Sequence, residues 1–141
     1  MFKLFTVDQA MRLLPVIEGH VASLQGASRD ANDIKARLTE FGQRQPAERT
    51  SSQVEIQNLM RELEFLAGQA KSAKVELDRL GVELTDVEHG AVAIPSSLCG
   101  EVVALTWEPG QAAITHYRRL AGDRAPRPLP SDALGGLGSA A

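Results

Sequence analysis

A single cysteine, Cys99, stands in a chain of 141 residues, so no internal disulfide forms and no second thiol completes a CxxC redox or zinc motif. A reducing compartment suits such a chain. Apolar residues make up 43% of the sequence, yet no run approaches the roughly 18 needed to span a bilayer. The opening stretch MFKLFTVDQA lacks the extended apolar core of a secretory signal. The expectation is a cytoplasmic protein with no membrane partner. Excess positive charge is missing too. Fifteen basic residues face 18 acidic ones, a net charge of -3, which gives no long-range attraction for a polyanion. General nucleic-acid binding is not expected. Nor does the chain carry a GxGxxG, P-loop, GxSxG or HExxH pattern. Their absence removes the common cofactor and hydrolase mechanisms. No cofactor and no enzymatic activity are assigned.

What is present is a helical pattern. The length suits one domain with a modest core. Thr6 precedes Val7-Asp8-Gln9, a capping box in which the threonine hydroxyl accepts from the backbone and Gln9 reaches back. Downstream, Ala10, Leu14, Ile17, Val21, Leu24, Ser28, Ala31, Ile34, Leu38 and Phe41 recur at spacings of three and four, with one slip between Ala31 and Ile34. That spacing predicts a helix from residue 7 to about 43. Pro15 removes a donor and crowds the preceding turn, so a kink or a restart is expected there. Gly42 and Pro46 stop the pattern, and Ser52-Gln53-Val54-Glu55 offers a second capping box. Ile56, Leu59, Leu63, Leu66, Ala70, Ala73, Leu77 and Leu80 then alternate without a slip up to Gly81, a typical residue after a helix end. The second helix, residues 52 to 80, is roughly 40 Å long at about 1.5 Å per residue. A connection of about ten residues favours an antiparallel return.

After Gly81 the period shortens. Val82 to Leu84, Ala91 to Pro95, Glu101 to Trp107 and Ala112 to Arg118 read as strands, with Glu108-Pro109-Gly110-Gln111 as a tight turn. The sheet is expected to pack where helix 1 starts and helix 2 ends, near Phe2, Leu4, Phe5 and Leu80. From about residue 121 glycine and proline dominate, and a flexible tail is expected. Arg124 to Pro130 is also weighed as a polyproline II surface. The fold class is therefore α+β, predominantly α: a long antiparallel helical hairpin over 7–80, a small antiparallel sheet over 82–119, one domain over 1–120, and a tail over 121–141.

Such a hairpin buries only the stripe between its helices, whereas long helices need a broader apolar contact. Met60, Phe65 and Val75 on helix 2, with Leu13 and Val16 on helix 1, widen or leave the seam. About 35 residues of strand do not cover so long a hairpin. Self-association, with a dimer favoured, or docking on a larger protein is expected from this mismatch.

The segments FTVDQAMRLLP (Phe5 to Pro15) and LGVELTDVEHGAV (Leu80 to Val92), with Pro95, Gly100, Leu105 and Trp107, resemble the bacterial DUF2203 family in order over most of residues 5 to 120. The resemblance implies the helical middle and the Trp-bearing hairpin, and it brings no activity with it. The chain departs from the family pattern where members tend to carry an acidic residue at Ala93, a cysteine at Thr106 and a Trp-His pair at Tyr117-Arg118. Acidic, Cys and His side chains bind metals or transfer protons, so any site the family builds there is expected to be absent or altered here.

The remaining chemistry is sparse. His20, His89 and His116 lack the spacing of a zinc helix. His89 and His116 are candidate metal ligands, with Asp86 or Glu88 as a third, against the simpler reading of a turn histidine and a strand histidine. Cys99 has no sequence-local base and reads as a free loop thiol. Arg118 and Arg119 form a donor cluster able to hold a carboxylate or phosphate, with Trp107 and Tyr117 beside it as a ligand site. Two functions follow as expectations: a non-enzymatic scaffold or adaptor acting through the hairpin, or a small ligand, metal or redox-accessory protein with its site at the sheet end.

Overall fold

A computed structural model describes residues 4–43, 52–122 and 124–130. Helix α1 spans Val7–Gly42 and helix α2 spans Gln53–Leu80. Thr6 and Gln9 form the expected capping box: Gln9 N donates to Thr6 Oγ1, and Thr6 N donates to Gln9 Oε1, each at 3.0 Å. Helix α1 runs through Pro15 as a single element, so it does not restart there. Pro15 lies on the solvent side, where a carbonyl left without its helical N–H partner is open to water.

The second capping box does not form. Ser52 is the N-cap of α2, but its ψ of 9° is far from the extended conformation that aims a cap side chain at the first turn, and it makes no side-chain capping hydrogen bond. At the other end Gly81 takes a φ of 87°, the left-handed position that glycine fills without strain.

The helices pair antiparallel through two apolar clusters. Ala27, Ile34 and Phe41 meet Leu59 and Leu66 in the distal half, while Ala10, Leu14, Ile17 and Val21 join Leu77 and the sheet. Ala27, rather than Ser28, is the buried residue of its turn. The slip in the three-four alternation therefore falls between Leu24 and Ala27.

Five antiparallel strands follow in chain order across the sheet: β1 Glu83–Asp86, β2 Ala91–Leu98, β3 Glu101–Trp107, β4 His116–Arg119 and β5 Arg127–Pro128. Cys99 (φ 53°) and Gly100 (φ 78°) link β2 to β3. Positive φ at both central residues is the type I′ geometry that matches strand twist. Val92, Ile94 and Ser96 of β2, with Val103, Leu105 and Trp107 of β3, are buried, and Val92, Ile94, Leu105 and Trp107 share one core cluster with the helices. The short β1 leaves part of the β2 edge open, and Phe5 fills it. Its N–H donates to Pro95 O at 2.9 Å, and buried Ser96 Oγ donates to Phe5 O at 2.6 Å. Leu4, expected at this packed end, is 42% exposed, and Phe2 lies outside the described residues.

Two boundaries move. The fourth strand starts at His116 and not at Ala112, because Ile114 N donates to Met11 Sδ on α1 at 3.4 Å instead of to a strand. Order also extends beyond the expected limit of residue 120. Tyr117 and Arg127 pair across β4 and β5, Leu129 N donates to Thr115 O at 2.9 Å, and Leu129 is buried in the sheet-end core. Arg127-Pro128 is thus an edge strand, where proline is tolerated, and not a free polyproline surface. Residues 131–141 lie outside the described part of the chain.

Candidate functional site

Alternation along the strands gives the sheet two chemically different faces. The core face carries Leu84, Ile94, Leu105 and Tyr117. On the opposite face Ala93 pairs with Thr106, Thr106 with His116, and Ala104 with Arg118. This second face is a cleft of about 580 Å³. Its floor is made of small side chains, Ala91, Ala93 and Ala104, and Thr85, Glu108, Gln111, His116, Arg118 and Arg124 stand around it. Thr85 Oγ1 donates to Ala91 O at 3.1 Å and Thr106 Oγ1 to His116 O at 3.3 Å. Both hydroxyls therefore face a ligand only as acceptors.

The positions at which the chain departs from the family pattern meet on this face. Ala93 and Thr106 are register partners, and Arg118 is one step away beside Ala104. Tyr117 points the other way, towards the core. A methyl, a hydroxyl and a guanidinium give no metal-binding set. Trp107 is also on the core side, 2% exposed, with Nε1 donating to Gln111 O at 2.9 Å. Of the three residues read as a ligand site, only Arg118 projects from the open face.

Asp86 contacts His89, but no group of three His, Cys, Asp or Glu side chains able to hold a metal occurs among the described residues. His116 Nδ1 is 2.8 Å from Thr115 Oγ1. His89 Nδ1 lies 2.6 Å from Asp86 Oδ2 in the turn joining β1 to β2. Hydrogen bonding to Asp86, then its charge, raises the His89 pKa, and the same hydrogen bond lowers that of Asp86. The stability from His89 is fully present below the unfolded histidine's range, near 6.5, and is lost as pH rises through its raised value. The stability from Asp86 is present above the unfolded aspartate's ordinary range, near 3.8, and is lost as pH falls through its lowered value. Titration followed by histidine NMR is expected to place the His89 midpoint above 6.5 and to return it towards that value in Asp86→Asn. A wild-type midpoint at or below the ordinary value contradicts the pairing.

A second surface lies along the hairpin. Leu24, Ala27 and Ala31 of α1 and Leu63, Leu66 and Ala70 of α2 line a groove of about 770 Å³ that reaches Leu84 and Val87. Lys35, Lys71 and Lys74 also line it, and among the described residues no carboxylate does. None of the three lysines forms an ion pair among the described residues.

The five residues read as an interaction face are placed differently from one another. Phe65 (65% exposed), Met60 and Val75 are exposed on α2 and Val16 on α1, whereas Leu13 is partly buried against the sheet-end core. At 100° per residue, Met60, Val75 and Phe65 are spread over an arc of about 140° of α2 and along about 15 residues of its length, so they form no narrow stripe. Sequence reading missed Lys35, Lys71 and Lys74. Lys71 and Lys74 are spaced to share a helix face beside the seam, but their meeting with Lys35 depends on how the helices pair.

Neither the curated proteins nor the solved structures yielded a match. The family model described as an uncharacterized conserved protein, DUF2203, matches residues 3–128. With the helical middle, the Trp-bearing hairpin and that match in agreement, the chain belongs to the DUF2203 family.

Proposed function

We propose that this chain is a non-enzymatic adaptor whose hairpin groove receives an acidic amphipathic helix from a larger protein. The observation that carries the reading is the lining of the groove: among the described residues, an apolar floor with three lysines in no ion pair and no carboxylate, on a chain whose net charge is -3. A helix laid between two others presents apolar residues at i, i+3, i+4 and i+7 to such a floor. Acidic residues flanking that stripe meet the lysines and steer the encounter.

The same charges favour a different protein over a second copy. A two-fold interface brings the same patch of both copies together, which here sets three lysines against three. Like charges in one interface disfavour that partner. The distal cluster, held between only two helices, gains a third layer from the docked helix.

A photo-crosslinking residue placed at Ala67, an exposed position on the groove, tests this in the native cell. The expected product joins the chain to another protein through a peptide with Asp or Glu flanking an apolar helical stripe. Crosslinks to a second copy of this chain, or to a peptide without acidic flanks, contradict the proposal.

A further inference from the structure

The open face of the sheet carries a different chemistry from the groove. Arg118 and Arg124 both line its cleft, both are exposed, and neither side chain has a hydrogen bond or ion pair with another described residue. The contrast with Arg119 is instructive, since its Nε donates to Glu101 Oε1 at 2.9 Å. One arginine of this strand is neutralised within the fold, and its neighbour is left with five donors free.

Below these guanidiniums the floor is apolar and shallow. Ala91, Ala93 and Ala104 occupy positions where any larger side chain would fill the cleft. At the far end stands Glu108, beside Gln111. Gln111 Oε1 accepts from Glu108 N at 2.9 Å, so its amide NH₂ remains available to donate. From Glu108 to Ala104 the strand advances about 13 Å at roughly 3.3 Å per residue. The cleft is thus polarised, with Arg118 beside Ala104 and a carboxylate at the opposite end.

From this arrangement we infer that the cleft binds a small organic anion with one negatively charged end, a carboxylate or a phosphate monoester, and a slim apolar body. The anionic group sits on Arg118 and Arg124, whose planar forks match either oxyanion. The body lies over Ala93 and Ala104. Glu108 disfavours a ligand negatively charged at both ends, while the Gln111 amide donates to a neutral polar group there. The inference does not depend on the hairpin reading, because the cleft and the groove are formed by different elements.

Amide shifts of the full chain, followed by NMR during titration, test it. The probes are phenyl phosphate, benzoate, inorganic phosphate and benzyl alcohol. Phenyl phosphate or benzoate is expected to give saturable shifts at Ala93, Thr106, His116 and Arg118, with whichever binds more tightly naming the anion. Inorganic phosphate is expected to bind more weakly, and benzyl alcohol not at all. Arg118→Ala and Arg124→Ala should each weaken binding about tenfold or more, the effect of losing a charge-assisted contact. Ala93→Leu should abolish binding by filling the floor with both arginines in place. All three sites lie on an open surface, and unchanged thermal transitions establish that the variants fold. Absence of saturation with either organic anion by about 10 mM, where a roughly millimolar site is mostly filled, overturns the inference. So does equal binding of benzyl alcohol, or a double arginine variant that binds like the wild type.

Discussion

Replacing Gly90 by alanine is expected to destabilise the protein by about 2–6 kcal/mol, from backbone strain of about 1–3 kcal/mol and overpacking of about 1–3 kcal/mol. Gly90 closes the turn between β1 and β2 with a φ of +70°, and a Cβ there would come within 2.7 Å of Val21 Cγ1 and 2.9 Å of the Gln25 side chain. Gln25 can swing away, although it would then lose its Nε2 hydrogen bond to Glu88 O at 3.0 Å. Val21 has no such freedom, because it is branched and fully buried in the core of α1. Gly100 provides the control. Its φ is +78°, yet an added Cβ meets nothing within 4 Å, so Gly100→Ala carries the strain without the collision. Urea unfolding of the two variants should show a clearly larger loss at position 90. Equal losses would mean that the turn does not rest on α1 as described.

The second large effect is expected at Leu77. Its side chain is fully buried where α2 meets α1 and the sheet, in the same cluster as Ile17, Val21, Ile94 and Leu105. Leu77→Ala should cost about 2–5 kcal/mol, because elements on every side prevent the cavity from collapsing. Leu66 lies in the distal cluster, bounded by the two helices alone and opening on the groove. Relaxation there is easier, and Leu66→Ala should cost less. Chemical unfolding of both variants checks the order. A Leu66 loss as large as that at Leu77 would contradict the division into a sheet-supported half and an exposed half.

That division shows how far the residues alone lead. The seam of α2 is readable because Ile56, Leu59, Leu63, Leu66, Ala70, Ala73, Leu77 and Leu80 keep the three-four spacing without a slip, and each is buried or half-buried as expected. Strand β3 is readable from its composition and turns. The failures have a common cause, a distant contact outweighing local pattern. Ile114 belongs to a promising strand run, but its backbone is claimed by Met11, 103 residues away. Leu129 sits in a segment rich in glycine and proline, where one buried side chain and two strand pairs are enough to order it. Ser52 has the right residue type for a cap and the wrong backbone.

The functional surfaces follow the same rule. Arg118 was visible as a donor, and its neighbours Tyr117 and Trp107 looked like companions in a ligand site. Strand alternation sends those two to the opposite face, and only the register shows that Ala93, Thr106, His116 and Arg118 share one surface. Arg124 joins them through a connection that local pattern marks only as a tail. The hairpin offered the opposite difficulty. Its exposed Met60, Phe65 and Val75 drew notice as apolar residues, while the more coherent feature was the basic groove, visible only once α1 and α2 lie side by side.

The adaptor reading is tested most directly by exchanging charge across the groove. Two designed helical peptides with the same apolar stripe, one flanked by glutamates and one by lysines, are titrated by fluorescence anisotropy against the wild-type chain and a Lys71→Glu/Lys74→Glu variant. The expected result is saturable, salt-sensitive binding of the acidic peptide to the wild type and a reversed preference in the variant, since rim charges set partner choice and encounter rate. If both peptides bind the two proteins alike, or neither binds either protein, the groove is not the docking site and the account of the hairpin as an adaptor is wrong.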